Sequence, residues 1–177
     1  MWSSTAARGR ATLAPMSLYS VDKLMSEVRR LAVEYRRTTG KTLPLTAELA
    51  VNDAVRLLEL EPVEDPAVGY DAIRVRDGAR ERVLIKGRAI FAPERSGQRI
   101  GQLRRDGPWD RVILVIMDDG FEPVEIYEAS REDIEDYLDG TSARQVRKGA
   151  MSVARFKIIA ELVWDSVSGR IAPVRRS

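Results

Sequence analysis

The segment RVILVIM, residues 111–117, constrains the fold more than any other part of the sequence. Six of its seven residues are apolar, and no polar residue alternates with them. A continuous apolar run of this length, rich in β-branched residues, is typical of a strand that is covered on both faces of a sheet. The segment therefore predicts a central strand with a layer of structure above it and another below it.

Two helices are predicted before this strand. The first spans residues 20–39, with Ser20 as its N-cap and Gly40 just beyond its end. Its apolar residues recur at helical spacing and predict a core face made of Leu24, Val28, Leu31, Ala32 and Tyr35. The second helix begins at Thr46, interpreted as its cap, and the prolines of segment 61–66 end it.

A β-hairpin is predicted next. Residues 69–76 alternate in character, which places Asp71 on the same side as Ile73 and Val75. An Asp-Gly turn follows, and residues 82–91 return as the antiparallel partner strand. Residues 92–110 are long enough to cross over to a parallel strand, and we expect a short helix within them over 98–105.

The rest of the chain completes an α/β pattern. A strand is predicted over 123–129, a helix over 131–138 that opens with a Ser130–Asp133 capping box, and helical structure over 143–163. This order of elements predicts an α/β domain with a small mixed sheet flanked by helices.

The domain boundaries follow from composition. We expect a disordered lead-in over residues 1–15, a single domain over 16–167 and a loose tail over 168–177. The first residues lack the apolar core of a secretion signal, and no apolar run is long enough to span a membrane. The sequence therefore predicts a cytoplasmic protein without a membrane anchor.

The absence of two residue types narrows the chemistry. The 177 residues include no Cys and no His, which excludes disulfides, thiol nucleophiles, Ser-His-Asp triads and Cys/His zinc sites. Acid–base chemistry would have to use carboxylates, Lys, Tyr, Arg or bound water. A metal would have to be a hard ion held by oxygen, such as Mg²⁺ or Mn²⁺.

Charge is unevenly distributed along the chain, although the formal net charge is only +2. Residues 74–111 carry a net charge of +6, residues 118–139 carry −9, and residues 141–177 carry +6. Blocks of this kind can form a bipolar surface whose basic face suits phosphates. They can equally be an ordinary solvated surface in an arginine-rich chain.

Three charged residues form the candidate catalytic set. Asp71 and Lys86 lie on the two strands of the predicted hairpin and could approach each other across it, and Glu48 lies in the first turn of the helix upstream. Two carboxylates and a lysine are the parts needed for metal-assisted hydrolysis of a phosphodiester. The alternatives are a structural Asp71–Lys86 ion pair and a Glu48 that merely complements the helix dipole.

These residues carry a resemblance to a known family. Gly69-Tyr70-Asp71-Ala72, a turn, and then Leu84-Ile85-Lys86-Gly87-Arg88 are similar to the Asp strand and the (D/E)xK strand of the PD-(D/E)xK nuclease superfamily, the fold of restriction endonucleases and Holliday-junction resolvases. The resemblance covers roughly residues 46–118. It implies a restriction-endonuclease-like three-layer core and a DNA substrate.

The resemblance also implies roles for individual residues. Glu48 and Asp71 would hold Mg²⁺ or Mn²⁺ together with the backbone carbonyl of Ile85, and Lys86 would act on the attacking water or the phosphate. The chain departs from the family at Leu84, which stands where a second carboxylate is expected.

The departure at Leu84 leaves enzymatic activity open and three functions under consideration. The first is a nuclease that requires Mg²⁺ or Mn²⁺. The second is a nucleic-acid-binding module without catalysis, with phosphate contacts from Arg88, Lys148 and Arg155 or, alternatively, with these residues as plain surface charges. The third is a protein-interaction subunit, for example a homodimer, that docks through the acidic segment 118–139.

Overall fold

The structure is a computed structural model that describes residues 18–91, 98–140 and 150–171. The described helices are α1 (Leu18–Thr39), α2 (Thr46–Leu58), α3 (Arg131–Asp139) and α4 (Val153–Ile159). The described strands are β1 (Glu61–Pro62), β2 (Ala72–Arg76), β3 (Ala79–Ala89), β4 (Arg99–Gln102), β5 (Arg111–Met117), β6 (Pro123–Ser130), β7 (Ala150–Ser152), β8 (Glu161–Asp165) and β9 (Gly169–Arg170). A short 3₁₀ helix covers Pro66–Val68.

Seven strands form one mixed sheet in the order β1-β2-β3-β5-β6-β8-β9. Strands β3 and β5 run parallel, and every other neighbouring pair in this sheet is antiparallel. Strands β4 and β7 pair separately as a two-stranded antiparallel sheet. The predicted hairpin, its parallel crossover and the α/β class are therefore confirmed.

Strand β5 is the centre of the sheet, as its apolar run predicted. All six residues from Val112 to Met117 are buried. Ile113, Val115 and Met117 point into one hydrophobic core, whereas Val112, Leu114 and Ile116 point into the other. The alternation shows that β5 is covered on both faces.

Helices cover both faces of the sheet. The first core lies against α1 and α2, and the second lies against α3, α4 and the β4–β7 pair. No helix within 18–91, 98–140 or 150–171 is both long and apolar enough to cross a membrane.

The buried face of α1 differs from the predicted one. Leu24 and Leu31 are each 55% exposed, while Arg29 is 7% exposed and forms a salt bridge with Asp53 of α2, which is fully buried. Met25, Val28 and Ala32 flank this pair on the core side. The prediction is confirmed for Val28 and Ala32, which pack in the core. It was wrong for Leu24, Leu31 and Tyr35, because a buried ion pair, and not a wider apolar face, joins α1 to α2.

Two predicted helix starts also need correction. Helix α1 begins at Leu18, so Ser20 lies inside the helix and is not its N-cap. Thr46 is the first residue of α2, and the N-cap position is Leu45, which provides no side-chain cap. The Ser130–Asp133 capping box of α3 and the left-handed Gly40 after α1 are confirmed.

The two longer connections and the tail also differ from expectation. The helix expected over 98–105 is replaced by β4, and the segment expected to be helical over 143–163 holds β7, α4 and the start of β8 where the structure describes it. Gly169 and Arg170 form the edge strand β9, so the tail is not loose from residue 168 onward. Non-local strand pairing overrode local helical propensity at these places.

Gly87 lets α2 pack directly onto β3. A Cβ atom at this position would lie 2.6 Å from Ala50 Cβ and 2.6 Å from the backbone oxygen of Thr46. Ala50 is fully buried at this contact. Because no side chain separates the helix from the strand, the first turn of α2 lies against the edge of β3.

Replacing Gly87 with Ala should separate α2 from β3. The new methyl group would overlap a backbone atom that cannot move away cheaply, so we expect the free energy of unfolding to fall by about 1–3 kcal/mol. Urea denaturation monitored by circular dichroism would measure it.

Gly140→Ala is the matched control. Gly140 has φ −74°, and its added Cβ would lie 3.6 Å from the nearest atom. Both substitutions change the unfolded chain in the same way, but only Gly87→Ala adds a clash in the folded protein. The free energy of unfolding of G140A should therefore stay within about 0.5 kcal/mol of the wild-type value. Equal stabilities for the two variants would contradict the close approach at Gly87.

Candidate functional site

A groove opens where β2 stops and β3 continues. The last backbone bond between these strands is donated by the Asp71 N–H to the Val83 carbonyl, at 2.9 Å. Strand β3 runs on to Ala89 while the chain on the β2 side turns away. The resulting groove has a volume of about 530 Å³ and lies between α2 on one side and β4 on the other.

The predicted catalytic residues all line this groove. Glu48 comes from the first turn of α2, Asp71 from the residue before β2, and Lys86 from β3. Ile85 and Arg88, which the sequence assigned to metal and phosphate contacts, line it as well. The fold therefore brings together side chains that are up to 40 positions apart in the sequence.

Two predicted phosphate-contacting residues are not part of the groove. Arg155 is exposed on α4, and it is not among the residues that line the groove. Lys148 lies outside the described residues. Arg88 is therefore the one member of that predicted set that the structure places at the groove.

The Asp71 side chain extends the hydrogen bonding between β2 and β3 by one bond beyond the last backbone pair. Its Oδ2 accepts a hydrogen bond of 2.6 Å from the Ile85 N–H, in place of the backbone carbonyl that β2 would otherwise supply. Burial raises the pKa of the Asp71 carboxyl, while this hydrogen bond and the positive charge of Lys86 act in the opposite direction. A desolvated carboxylate of this kind would be stabilised by a further cation in the groove.

The position of Asp71 on its strand needs one correction. The sequence placed it on the core side with Ile73 and Val75, but Val75 is 52% exposed and Ala72 is the fully buried residue of β2. Asp71 is half-buried because it lies at the fork between the strands. The alternation along β2 therefore predicted that Asp71 would be shielded from solvent, but for the wrong reason.

Lys86, on β3, is half-buried in the groove. Burial lowers the pKa of its ammonium group, the charge of Arg88 lowers it further, and the Asp71 carboxylate raises it. Within the described part of the chain, no carboxylate oxygen lies within the 4.0 Å of Lys86 Nζ that defines an ion pair. The alternative of a direct Asp71–Lys86 ion pair is therefore not what the structure shows.

Sequence reasoning missed two further residues of the groove. Glu64 adds an exposed carboxylate from the loop after β1, and Tyr70 adds a half-buried phenol beside Asp71. The segment that holds Glu64 was interpreted only as the end of a helix because of its prolines. Leu84 lines the groove too, at the position where the family would have a carboxylate.

The donor set for a metal ion is small. Across residues 18–91, 98–140 and 150–171, no three Asp or Glu side chains lie close enough together to hold a metal. Glu48 and Asp71 would therefore supply two carboxylates, and the Ile85 carbonyl lies on the same edge of β3 as the N–H that Asp71 accepts. Mg²⁺ tolerates such a set, because it commonly keeps several waters and shares a phosphate with its substrate.

Arg88 forms the wall of the groove next to β4. Its guanidinium donates to the carbonyls of Arg99 and Gly87, and burial lowers its pKa. A Cβ atom at Gly101 would lie 3.1 Å from this guanidinium, so β4 passes close to it. Arg88 thus holds β4 against β3 while keeping a positive charge at the groove.

Replacing Asp71 with Asn should change how stability depends on pH. Because burial raises the pKa of Asp71, the folded protein binds this proton more tightly than the unfolded chain does, so the wild type loses stability as pH rises through the raised pKa. Asn keeps an acceptor for the Ile85 N–H without the charge. The stability of D71N relative to wild type should therefore increase from below pH 3.8 to neutral pH.

Asp71→Ala is the comparison variant, because it removes the acceptor as well as the charge. We expect it to be about 1–3 kcal/mol less stable than D71N throughout the pH range. Urea denaturation at a series of pH values measures all three proteins. Parallel pH curves for wild type and D71N would show that Asp71 does not carry the buried charge.

Comparisons with known proteins do not assign the chain to a family. A scan against protein-family models found no family that matches, and a search of curated proteins found no match. The function is therefore inferred from the geometry and charge of the groove, together with the short sequence resemblance.

Proposed function

We propose that the groove binds a phosphodiester of nucleic acid and hydrolyses it with the help of Mg²⁺ or Mn²⁺. One observation carries the proposal: Glu48, Asp71 and Lys86 come from three separate elements and line one groove at the open end of a hairpin. The side chains are two carboxylates and an amine, which are the parts that metal-assisted phosphodiester hydrolysis requires.

Each residue has a role that its surroundings support. Glu48 and Asp71 would hold the cation, and Asp71 is oriented for this by its bond from the Ile85 N–H. The cation would supply Lewis-acid stabilisation of the phosphate and of the attacking water. Lys86, whose pKa is lowered by burial, would donate to a phosphate oxygen or orient the water.

The strand arrangement also supports a restriction-endonuclease-like core. An antiparallel hairpin, β2–β3, is followed by a parallel strand, β5, and helix α2 packs on the hairpin just upstream of it. This is the order that the resemblance implies. The connection between β3 and β5 contains β4 in its described part, so the core would be a divergent form of that fold.

Cleavage of supercoiled plasmid and of branched DNA with Mg²⁺ or Mn²⁺ tests this proposal. D71N and K86M should each reduce the cleavage rate by at least about 100-fold, since each removes a group that stabilises the transition state. E48Q should raise the cation concentration needed for half-maximal rate, because one of two carboxylate ligands is lost.

Two variants serve as controls in this assay. K23M removes an exposed lysine of α1, and D165N changes an aspartate that bonds to the turn at Val167 and Ser168. Both should cleave at the wild-type rate. Cleavage that survives D71N and K86M would refute the assigned roles.

Leu84 favours a second candidate, a nucleic-acid-binding module on the same fold without catalysis. Leu84 lines the groove on the same face of β3 as Lys86, so an apolar side chain faces the cation position. With only Glu48 and Asp71 as side-chain ligands, metal binding would be weaker than with three. Such a protein would still bind phosphates, with an affinity that falls as salt concentration rises.

Replacing Leu84 with Glu separates the two candidates. A third carboxylate should strengthen Mn²⁺ binding, which titration calorimetry would measure, and should allow cleavage if the wild type binds DNA without cutting it. L84Q, of similar size but uncharged, is the control. If wild type cleaves and L84E adds nothing, the non-catalytic candidate is wrong.

The acidic segment 118–139 offers less support for a protein-docking function than the sequence indicated. Several of its carboxylates pair inside the molecule: Glu128 with Arg74 and Arg111, Glu125 with Lys157, and Asp139 with Arg105. These pairs neutralise part of the acidic block against basic residues of the same chain. A homodimer through this segment stays a prediction.

A further inference from the structure

The groove continues into a second hollow along the open edge of β3. This second hollow has a volume of about 310 Å³ and shares Gly87 and Arg88 with the groove. Its other lining residues come from the start of α2 and the loop before it, from the end of β3 and just beyond it, and from the start of β4 and just before it; they are Thr42, Thr46, Ala89, Phe91, Gln98 and Arg99. Because the two hollows have walls in common, an extended ligand could occupy both.

A third hollow lies at the end of α1. It has a volume of about 530 Å³ and is lined by Arg36, Arg37 and Gly40, by Val33, and by the turn residues Asp119 and Gly120. The guanidinium of Arg36 lies 3.8 Å over the ring of Phe91, which is part of the second hollow. The second and third hollows are therefore neighbours, with one residue of each in this stacked pair.

The Arg36 guanidinium is held in position by the aromatic rings beneath it. Phe91 packs edge-on against Phe121, with ring centroids 5.5 Å apart, and Phe121 is fully buried. A cation stacked on a fixed ring loses less freedom when it binds an anion. Its outward side is therefore preorganised for a phosphate.

Three arginines of these hollows differ from most of the other arginines that the structure describes. Among the described residues, Arg36, Arg37 and Arg88 have no carboxylate within ion-pair distance. Many other arginines do have one, namely Arg29, Arg30, Arg56, Arg74, Arg80, Arg82, Arg104, Arg105, Arg111, Arg131 and Arg170. Asp119 is the acidic residue of the third hollow, and it is not paired with either arginine there. Unpaired cations in a row suit an anionic chain.

We propose that the groove and the two hollows form one track for a nucleic-acid strand, which runs from Asp71 and Lys86 past Arg88 to Arg36 and Arg37. The inference rests on the proposed function, since it places the reacting phosphate at the groove. Arg88 and the stacked Arg36 contact the phosphates that flank it, and Arg37 contacts a phosphate at the end of the track. The protein therefore holds the strand on one side of the reacting phosphate more strongly than on the other.

The test measures binding of a fluorescent 20-nucleotide single strand and of a 20-base-pair duplex by anisotropy, in the D71N background and without metal. R36A/R37A should weaken binding at least 10-fold at 0.1 M salt. It should also reduce the slope of log affinity against log salt by about 1.4 for the single strand, because two phosphate contacts are lost. R37E provides a second variant at an exposed position, in case the loss of the Arg36 stacking on Phe91 disturbs the fold.

R76A/R80A is the matched control. Both residues are exposed at the hairpin tip, and Arg80 is about 26 Å along β3 from Arg88. The control removes the same charge from a distant place and should leave affinity and salt slope as in the parent protein.

The outcomes separate the track from the proposed function. If R36A/R37A and R37E bind and, with Asp71 restored, cleave as the parent does, the track is wrong and the nuclease proposal stands. If these variants lose binding but D71N and K86M have no effect on cleavage, the track stands and the catalytic roles are wrong. If poly-glutamate displaces the oligonucleotide at equal charge concentration, the track takes acidic peptides and the nucleic-acid inference is wrong.

Discussion

The close approach of α2 to β3 at Gly87 is the contact on which the rest of the site depends. With no side chain at Gly87, the helix lies directly on the strand, and Thr46 and Ala50 fill the space that a Cβ would occupy. This brings Glu48 to the edge of β3 just where β2 ends. On the opposite side of that edge, β4 is held by Arg88. The groove is therefore the space between α2 and β4, which both pack against the part of β3 that β2 leaves unpaired.

Ion pairing inside the molecule decides which charges remain available. The basic and acidic blocks of the sequence pair with each other in the fold, and the most buried example joins Glu128 of β6, which is 6% exposed, to Arg74 of β2 and Arg111 of β5. Burying such groups is tolerable only because each has an opposite charge within reach. The bipolar surface suggested by the charge blocks is thus reduced, and cations without an ion-pair partner remain at Arg88 in the groove and at Arg36 in the third hollow.

The predictions succeeded where the residue pattern is local and strong. The apolar run 111–117 has one stable solution, a central strand, and the Asp-Gly turn has one stable solution, a hairpin. They failed where long-range contacts decide the outcome. The face of α1 was only partly assigned correctly, because the buried Arg29–Asp53 pair has the sequence pattern of surface charge. The expected helix over 98–105 became β4 because a strand 50 residues later, β7, pairs with it.

The residues of the candidate site were likewise predicted in part from the sequence and in part found only in the structure. Because the chain has no Cys and no His, the sequence by itself limited a metal to a hard ion and acid–base chemistry to carboxylates, Lys, Tyr, Arg or bound water. It identified Asp71 and Lys86 because a charged side chain within a strand is costly to bury without a partner. The sequence also named Glu48, but only the tertiary structure decided that Glu48 lines the same groove as Asp71 and Lys86, and that Arg36 and Arg37 line a hollow at the end of α1. Which residues meet at a sheet edge depends on how helices pack over it, and packing is set by contacts between distant parts of the chain that no local pattern encodes.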